Sequence, residues 1–441
     1  GTVSYEQFPI FRPKTTAEVV EIVAQYNKIR VIGTRHSFNN LTRIDPTTPK
    51  GQGAYVSTVN MNEILSFSKK SERVVVQPGV TYGKLGTYLR ERGFAVSNMA
   101  SLPHITVGGA ISTATHGAGV LHGNLATQVM AFTVVLASGE IVEYRRGQNG
   151  GKPFRHGIVS FGLVGVIVEI ELDIVYAFDV TQCIYTNLPL DLTDRADYQA
   201  AFASAYSFSM FTQWDEAVGF TSVWGKYKMD KGRYGENEAT SFSCPTMYEQ
   251  SASKTKVHPL PGEDGESSCS GPPGAGPSHI ELPHFLEEAT PSKGSELQSE
   301  FFVPFTQYQA ALNAMFALRK RMPMLSQYLI VSELRFVDAD RFTLSPTGVL
   351  GQSIGFHFTW KKDLDNVVLL LKEVERTLHP FRVLPHFGKV FTMSGSDLES
   401  VYGRKRLREF QSFVEPLDPT RKFVNQFLAD KILLPTMTSE L

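Results

Sequence analysis

Five residues in the C-terminal third carry groups suited to holding hydroxyls and moving a proton. In VSELRF, Glu333 and Arg335 stand two apart and on a strand point to one side, with Leu334 and Phe336 on the other. In GFHFTW, His357 and Thr359 share a side against Phe356, Phe358 and Trp360. Two strands, each with one polar side, ordinarily describe a solvated sheet face. The same set, a carboxylate, a guanidinium, an imidazole and a hydroxyl, can also grip several hydroxyl groups at once. Lys389, in PHFGKVF, is either one more solvated lysine or, if the topology brings it beside these strands, a further cation. Two cations close together could stabilise a developing negative charge, at about 3 kcal/mol per preorganised donor. Arginine stays protonated, so a desolvated Lys389 is the better proton acceptor of the two.

A second group of residues could hold a phosphate. SLPHITVGGAISTATHGAG, Ser101 to Gly119, sets Gly108, Gly109, Gly117 and Gly119 among Ser112, Thr113, Thr115 and His116. Glycine lets backbone approach a ligand closely, and successive N–H groups with hydroxyls can hold a pyrophosphate without lysine. A Gly-rich structural turn is the plain alternative. No GxGxxG follows a strand and no GxxxxGK[ST] occurs, so neither the Rossmann fingerprint nor the P-loop is present. Near the start, RVIGTRHSFN breaks an apolar strand at Gly33 with Thr34, Arg35, His36 and Ser37, which could be no more than an ordinary turn.

These groups need elements to position them. Thr15 with Glu18 suggests a capping box, and Val19, Ile22, Val23 and Tyr26 recur at helical spacing, predicting a helix that feeds a strand over 29–33. RVVVQPGVTYGKLGTYLRERG reads as strand, turn and short helix, and VMAFTVVLASGEIVEY as two strands joined at Ser138-Gly139. Residues 168–175 alternate as a half-exposed strand. Past about residue 177 a crowd of aromatics marks a new core, interrupted by HPLPGEDGESSCSGPPGAGPS, an excursion or lid over 258–278. Beyond it come a helix holding Tyr308, Ala311, Leu312 and Met315, the strands YLIVSELRF and GFHFTW, a helix from about Leu364 to Leu378, and a strand near 381–383. The class is α+β.

The 441 residues suggest two domains, and 42% hydrophobic content with 30 Phe and 16 Tyr supports a sizeable core. With 43 basic against 44 acidic residues there is no field to hold a nucleic acid. Cys183, Cys244 and Cys269 form no CxxC, and the odd total predicts neither a disulfide framework nor a metal site, so a reducing, cytoplasmic setting is expected. The longest apolar run, 158–168, is about half a membrane span and ends at Glu169, so no membrane association is expected.

RVIGTRHSFN and MASLPHITVGGAISTATHGAG, followed in order by SELR, HFTW, PHFGKVF and LDPTRKFVNQF, resemble the alditol oxidases of the vanillyl-alcohol-oxidase type flavoprotein superfamily, over about residues 1–430. The resemblance implies a two-domain α+β flavoprotein. Its FAD-binding domain (1–176) has two small α/β subdomains; a substrate-binding cap (177–390) has an antiparallel sheet covered by helices; residues 391–441 return to the FAD-binding domain. It also implies covalent FAD at His36, through the 8α carbon of the flavin. FAD contacts are implied at Val31, Ile32, Gly33, Thr34, Arg35, His36, Ser37, Ser101, Thr106, Gly109, Ala110, Ile111, Ser112, Thr113, His116 and Val166. Related chains carry glycine where this one has Arg35; a positive φ there would strain Arg35 by about 1 kcal/mol.

On the substrate side the resemblance implies polyol binding by Ser101, Gln298, Glu333, Arg335, His357, Thr359 and Lys389, with Arg335, Lys389 and Glu333 catalytic. His104, His116, His284 and His386 are expected to be structural or flavin-packing groups. The implied reaction passes a hydride from a terminal C1 to flavin N5, and O2 becomes hydrogen peroxide, with no metal and a monomeric chain. A sugar-1,4-lactone oxidase or dehydrogenase is the nearest alternative, and a catalytically silent FAD-binding module a more distant one.

Overall fold

The structure is a computed structural model that describes residues 5–189, 203–229, 242–245, 247, 250–272, 274–288 and 295–433. Its first unit forms as the periodicity predicts. Helix Thr16–Gln25 buries Val19, Ile22 and Val23 against a three-stranded parallel sheet in the order Ile10–Phe11, Gly53–Ser57, Lys28–Ile32. Thr15 caps the helix by accepting from Glu18 N at 3.2 Å. The reciprocal half of the capping box is absent, because the Glu18 carboxylate takes Lys14 N at 2.8 Å instead.

A five-stranded antiparallel sheet follows, in the order Ile64–Ser68, Arg73–Val76, Val166–Asp173, Val129–Val135, Ile141–Arg145. Val166–Asp173 alternates buried and half-buried residues, as its Val/Ile and Glu alternation requires. Gly139, at φ 87°, turns the hairpin between its last two strands.

The largest sheet has eight strands: Ala275–Pro277, Asp179–Leu188, Phe220–Met229, Ser207–Thr212, Leu329–Val337, Ser353–Lys361, Glu296–Pro304 and Leu384–Pro385. Helices Tyr308–Arg321 and Leu364–Leu378 bury Leu312, Met315, Val367 and Leu371 in the core they share with it. The chain then returns to the first sheet. The Arg30 guanidinium donates to the Phe423, Leu41 and Phe161 carbonyls, and the Ile29 N–H donates to Lys422 O at 2.9 Å.

Three expectations are corrected. Cys183, on strand Asp179–Leu188, is disulfide-bonded to Cys244, so the cysteine count misread the chemistry; only Cys269 is free, and it is buried. Residues 381–383 form no strand. Pro380 sits in the 3-10 turn His379–Phe381 and Arg382 takes φ 58°, which delays the strand to Leu384–Pro385. The 258–278 excursion is not a bare loop: Ala275–Pro277 pairs with Asp179–Thr181 at the sheet edge, and Cys269 and Ser270 are buried. Among the described residues no helix is long and apolar enough to cross a membrane, and no group of three or more His, Cys, Asp or Glu could hold a metal ion.

Candidate active site

Strand register brings the polar residues into rows. Phe211 lies opposite Glu333, Glu333 opposite His357, and His357 opposite Glu300, so four side chains cross the sheet in a line. The next row runs Val331, Thr359, Gln298. On the other side, Arg335 faces Gly355. A Cβ at Gly355 would sit 3.1 Å from Glu300 Oε1 and 3.7 Å from His116 Cε1, so the missing side chain leaves the space in which Arg335, Glu300 and His116 meet.

This polar sheet face is buried, not solvated. Glu333, Arg335, His357, Thr359 and Gln298 are each less than a tenth exposed. Their charges are therefore paired. Arg335 donates to Glu300 Oε1 at 2.7 Å and to Ser101 Oγ at 3.3 Å, and its Nε lies 3.6 Å from Glu333 Oε2. Glu333 Oε1 contacts His284 Nε2 at 2.7 Å, and Glu300 Oε1 contacts His116 Nε2 at 3.0 Å. Burial raises the pKa of each carboxyl, but Arg335 and the facing imidazoles outweigh it and hold both well below the usual carboxylate range.

Lys389 joins them from a different segment. His386 N donates to Glu300 O at 2.9 Å and Val390 N to Gln298 O at 2.8 Å, which ties residues 386–390 along the strand Glu296–Pro304. The Lys389 ammonium donates to Gln298 Oε1 and lies 5.1 Å from the Phe38 ring centroid. Burial lowers its pKa to about 8, helped by Arg335 and opposed by Glu300. Burial also pushes His357 and His386 down to about 3, leaving both imidazoles neutral.

The loop after strand Lys28–Ile32 reaches the same place. Phe38 N donates to Gly388 O at 2.8 Å, and Asn39 Nδ2 donates to the carbonyls of Phe387 and Lys389. His36 stands beside Lys389 with its ring 6.1 Å from that of His104. Burial, then Lys389 and the neighbouring histidines, hold its pKa well below the ordinary value, so the ring is neutral. Arg35 takes φ 62°, the left-handed conformation in which the sequence comparison expects glycine.

One cavity of about 390 Å³ joins both sets of residues. Of the residues named for the cofactor, all but Ile111 and Val166 line it. Those two are fully buried in apolar cores; on the strand the alternate residue Ile167 faces the cavity, and Gly165 just before it. Every residue named for the substrate lines the cavity, and so do His104, His116, His284 and His386. His284 is more than packing, since it bonds Glu333 directly.

The cavity chemistry suits a dinucleotide cofactor. Among the described residues, the N–H groups of Thr34, Arg35, His36 and Ser37 have no hydrogen-bond partner. A Cβ at Gly33 would fall 2.3 Å from Thr106 Oγ1 and one at Gly109 would fall 3.0 Å from it, so bare backbone of the loop after Ile32 and of the first turn of helix Val107–Ser112 converges there. Free N–H groups beside hydroxyls form a cradle for an anionic pyrophosphate.

Two residues escaped the sequence reading. Glu300 lies two after Gln298 in ELQSEF and shares its side, a periodicity that could have found it. Glu296, two before Gln298, also lines the cavity, and its Oε2 is buried without a partner.

The chain matches two known family patterns: an FAD binding domain over residues 9–145 and D-arabinono-1,4-lactone oxidase over residues 289–431. It is 34% identical over 431 residues to the alditol oxidase of Streptomyces sp. strain IKD472, covering 98% of this chain and 97% of that one. The L-gulono-1,4-lactone dehydrogenase of Mycobacterium tuberculosis is 24% identical, covering 95% and 94% of the two chains. Among solved structures, cholesterol oxidase from B. sterolicum superposes with a TM-score of 0.72 at 15% identity, over 96% of this chain and 94% of that one. That likeness bears on fold alone, and it agrees with the α+β class.

Proposed function

Because the chain belongs to the alditol oxidase family of FAD-dependent oxidoreductases acting on CH–OH groups, we propose that it oxidises the terminal C1 hydroxyl of a polyol, of the xylitol or sorbitol type, to the aldehyde. Oxygen is the final acceptor and becomes hydrogen peroxide. The observation that carries this reading is the convergence of Glu333, Arg335, His357, Gln298 and Lys389 on the cavity that also contains the glycine cradle.

FAD bound in the cradle supplies the acceptor for the hydride that leaves C1. The chain supplies position, charge and a proton acceptor. Arg335 stabilises the oxygen of the reacting hydroxyl as it loses its proton, and Lys389 adds a second positive charge once it has taken that proton. Arg335 is held in place by Glu300 and Glu333, so it needs no rearrangement. Lys389, with its pKa lowered to about 8, is the group that can take that proton near neutral pH. Glu333 accepts a neighbouring hydroxyl, Ser101 lies beside Arg335, and His357, Thr359 and Gln298 hold the remaining hydroxyls.

His36 carries FAD covalently in this reading. Its support is a neutral imidazole within the free N–H run, the protonation state a nucleophilic nitrogen needs. Acid precipitation tests it: yellow colour remaining in the pellet supports the bond, and a colourless pellet refutes it.

The chain is proposed to act as a monomer, divided at 1–176, 177–390 and 391–441. The Phe423 carbonyl at Arg30 supports the return of the third part. A cytoplasmic location loses the argument drawn from cysteine count, since Cys183 and Cys244 are paired.

A sugar-1,4-lactone is the second candidate substrate, favoured by the match of residues 289–431 to the lactone oxidase pattern. Steady-state oxygen uptake with xylitol and sorbitol against L-gulono-1,4-lactone decides between them. A holoprotein that no polyol or lactone can bleach anaerobically would be a silent flavin carrier.

A further inference from the structure

Behind the carboxylate of Glu333 lies a buried cation that the polyol reading does not use. Lys226 is on strand Phe220–Met229, on the far side of His284 from the cavity, and is 1% exposed. Its ammonium has four neighbours within hydrogen-bond reach: the carbonyls of Glu281 at 2.9 Å, Leu282 at 2.7 Å and Pro283 at 2.9 Å, and His284 Nδ1 at 3.2 Å. A buried ammonium carries a heavy desolvation penalty, and an apolar side chain could pack a strand against a turn without it.

The ammonium bears on where the His284 proton sits. Burial lowers the Lys226 pKa to about 7, so below that pH Nζ is an ammonium, which can only donate; the three carbonyls and Nδ1 share its three N–H groups, and a proton on Nδ1 would face N–H, so the lone pair of the imidazole belongs on that nitrogen. The ring proton is then on Nε2, which faces Glu333 Oε1 at 2.7 Å. The opposite tautomer would set N–H against N–H on one side and a lone pair against a carboxylate on the other. Burial lowers the His284 pKa to about 4, which leaves one ring proton to place. Ser101 O accepts from His284 N at 3.1 Å, so the ring's backbone is fastened to the cavity wall.

We propose that Lys226 and His284 are positioning residues for Glu333: Lys226, facing Nδ1, reinforces the Nε2–H tautomer that the Glu333 carboxylate favours, and that N–H holds Oε1 so that Oε2 stays free to take a substrate hydroxyl beside Arg335. This rests on the polyol-oxidation reading above. It adds two residues that act on the substrate through Glu333.

The test uses holoenzyme with histidine-selective 15N labelling and the variants H284Q, H284L and K226M. At pH 6 the wild-type resonance that H284Q removes shows the neutral Nε2–H pattern, and in K226M the Nδ1–H form gains population. In anaerobic mixing with saturating xylitol, H284L lowers the limiting rate of flavin reduction about tenfold or more, as loss of a hydrogen bond to a charged group does. H284Q keeps an N–H donor and stays within about threefold of wild type. A residue that merely packs the turn would change flavin content or melting, and leave the rate per bound flavin alone.

A wild-type Nδ1–H tautomer, or an H284L rate equal to wild type, overturns the proposal. Should H284L fail to hold flavin, the tautomer in wild type and K226M decides. A wild-type holoenzyme that no polyol reduces removes the polyol reading and this role with it, whereas wild type and H284L reduced equally fast remove this role alone.

Discussion

Replacing Lys389 with methionine keeps the chain length and removes the ammonium. In the folded protein that ammonium donates to Gln298 Oε1 and lies over Phe38, and its pKa is pushed down to about 8 because burial outweighs the attraction of Glu300. The charged form is therefore disfavoured by folding, and K389M relieves that cost, so the variant folds and binds FAD. The kinetic loss is set by transition-state charge. One preorganised donor is worth about 3 kcal/mol, which at about 1.4 kcal/mol per decade is a factor of about 100 in rate. That charge arises as the amine takes the proton, so the two effects are one and the expected loss is about 100-fold.

The assay is anaerobic stopped-flow reduction of the bound flavin by saturating xylitol, between pH 6 and 10. In wild type the rate rises with pH through about 8, because the amine accepts a proton only above its pKa. In K389M the rate is low and that rise is gone, with the oxidised flavin spectrum nearly unchanged. A K389M rate within threefold of wild type at pH 9 would falsify the assignment of Lys389.

Other consequences are as direct. H36A retains FAD by its phosphate cradle but releases all of it on acid precipitation, read as absorbance in the supernatant. G33A, whose new Cβ would fall 2.3 Å from Thr106 Oγ1, crowds the cradle and lowers the ratio of flavin to protein absorbance after purification. E296Q neutralises the cavity carboxylate whose Oε2 lacks a partner; if it receives a substrate hydroxyl, KM for xylitol rises about tenfold with little change in the limiting rate. Thiol titration in denaturant gives one reactive cysteine without reductant and three with it, as the Cys183–Cys244 pairing requires.

Much of the site was legible because a strand has a period of two. Glu333 with Arg335, and His357 with Thr359, declare a shared face whatever they face. The sequence does not reveal which strand lies next to which. Glu300 matters because Glu296–Pro304 pairs with Ser353–Lys361 in a register that sets it opposite His357, a contact between residues far apart in the chain. The same limit explains the disulfide, whose cysteines are 61 residues apart and leave an odd one over. Val166 was misassigned by one step along a strand, which moves a side chain to the opposite face. Ile111, on helix Val107–Ser112, packs into the core while Ser112 lines the cavity. The strand expected at 381–383 failed because Pro380 and the left-handed Arg382 are local facts that an apolar run conceals.

Asn39 and Lys389 are 350 residues apart, and Arg30 and Phe423 are 393 apart, yet both pairs close the wall around one cavity. On the ribosome, the N-terminal strand and its loop emerge hundreds of residues before the segments that complete their hydrogen bonds. A nascent chain shorter than about residue 423 has an open-sided pocket in which Arg30 lacks its Phe423 carbonyl. A chain that stops before residue 423 is therefore expected to purify with less bound flavin than the full chain, read as the ratio of flavin to protein absorbance.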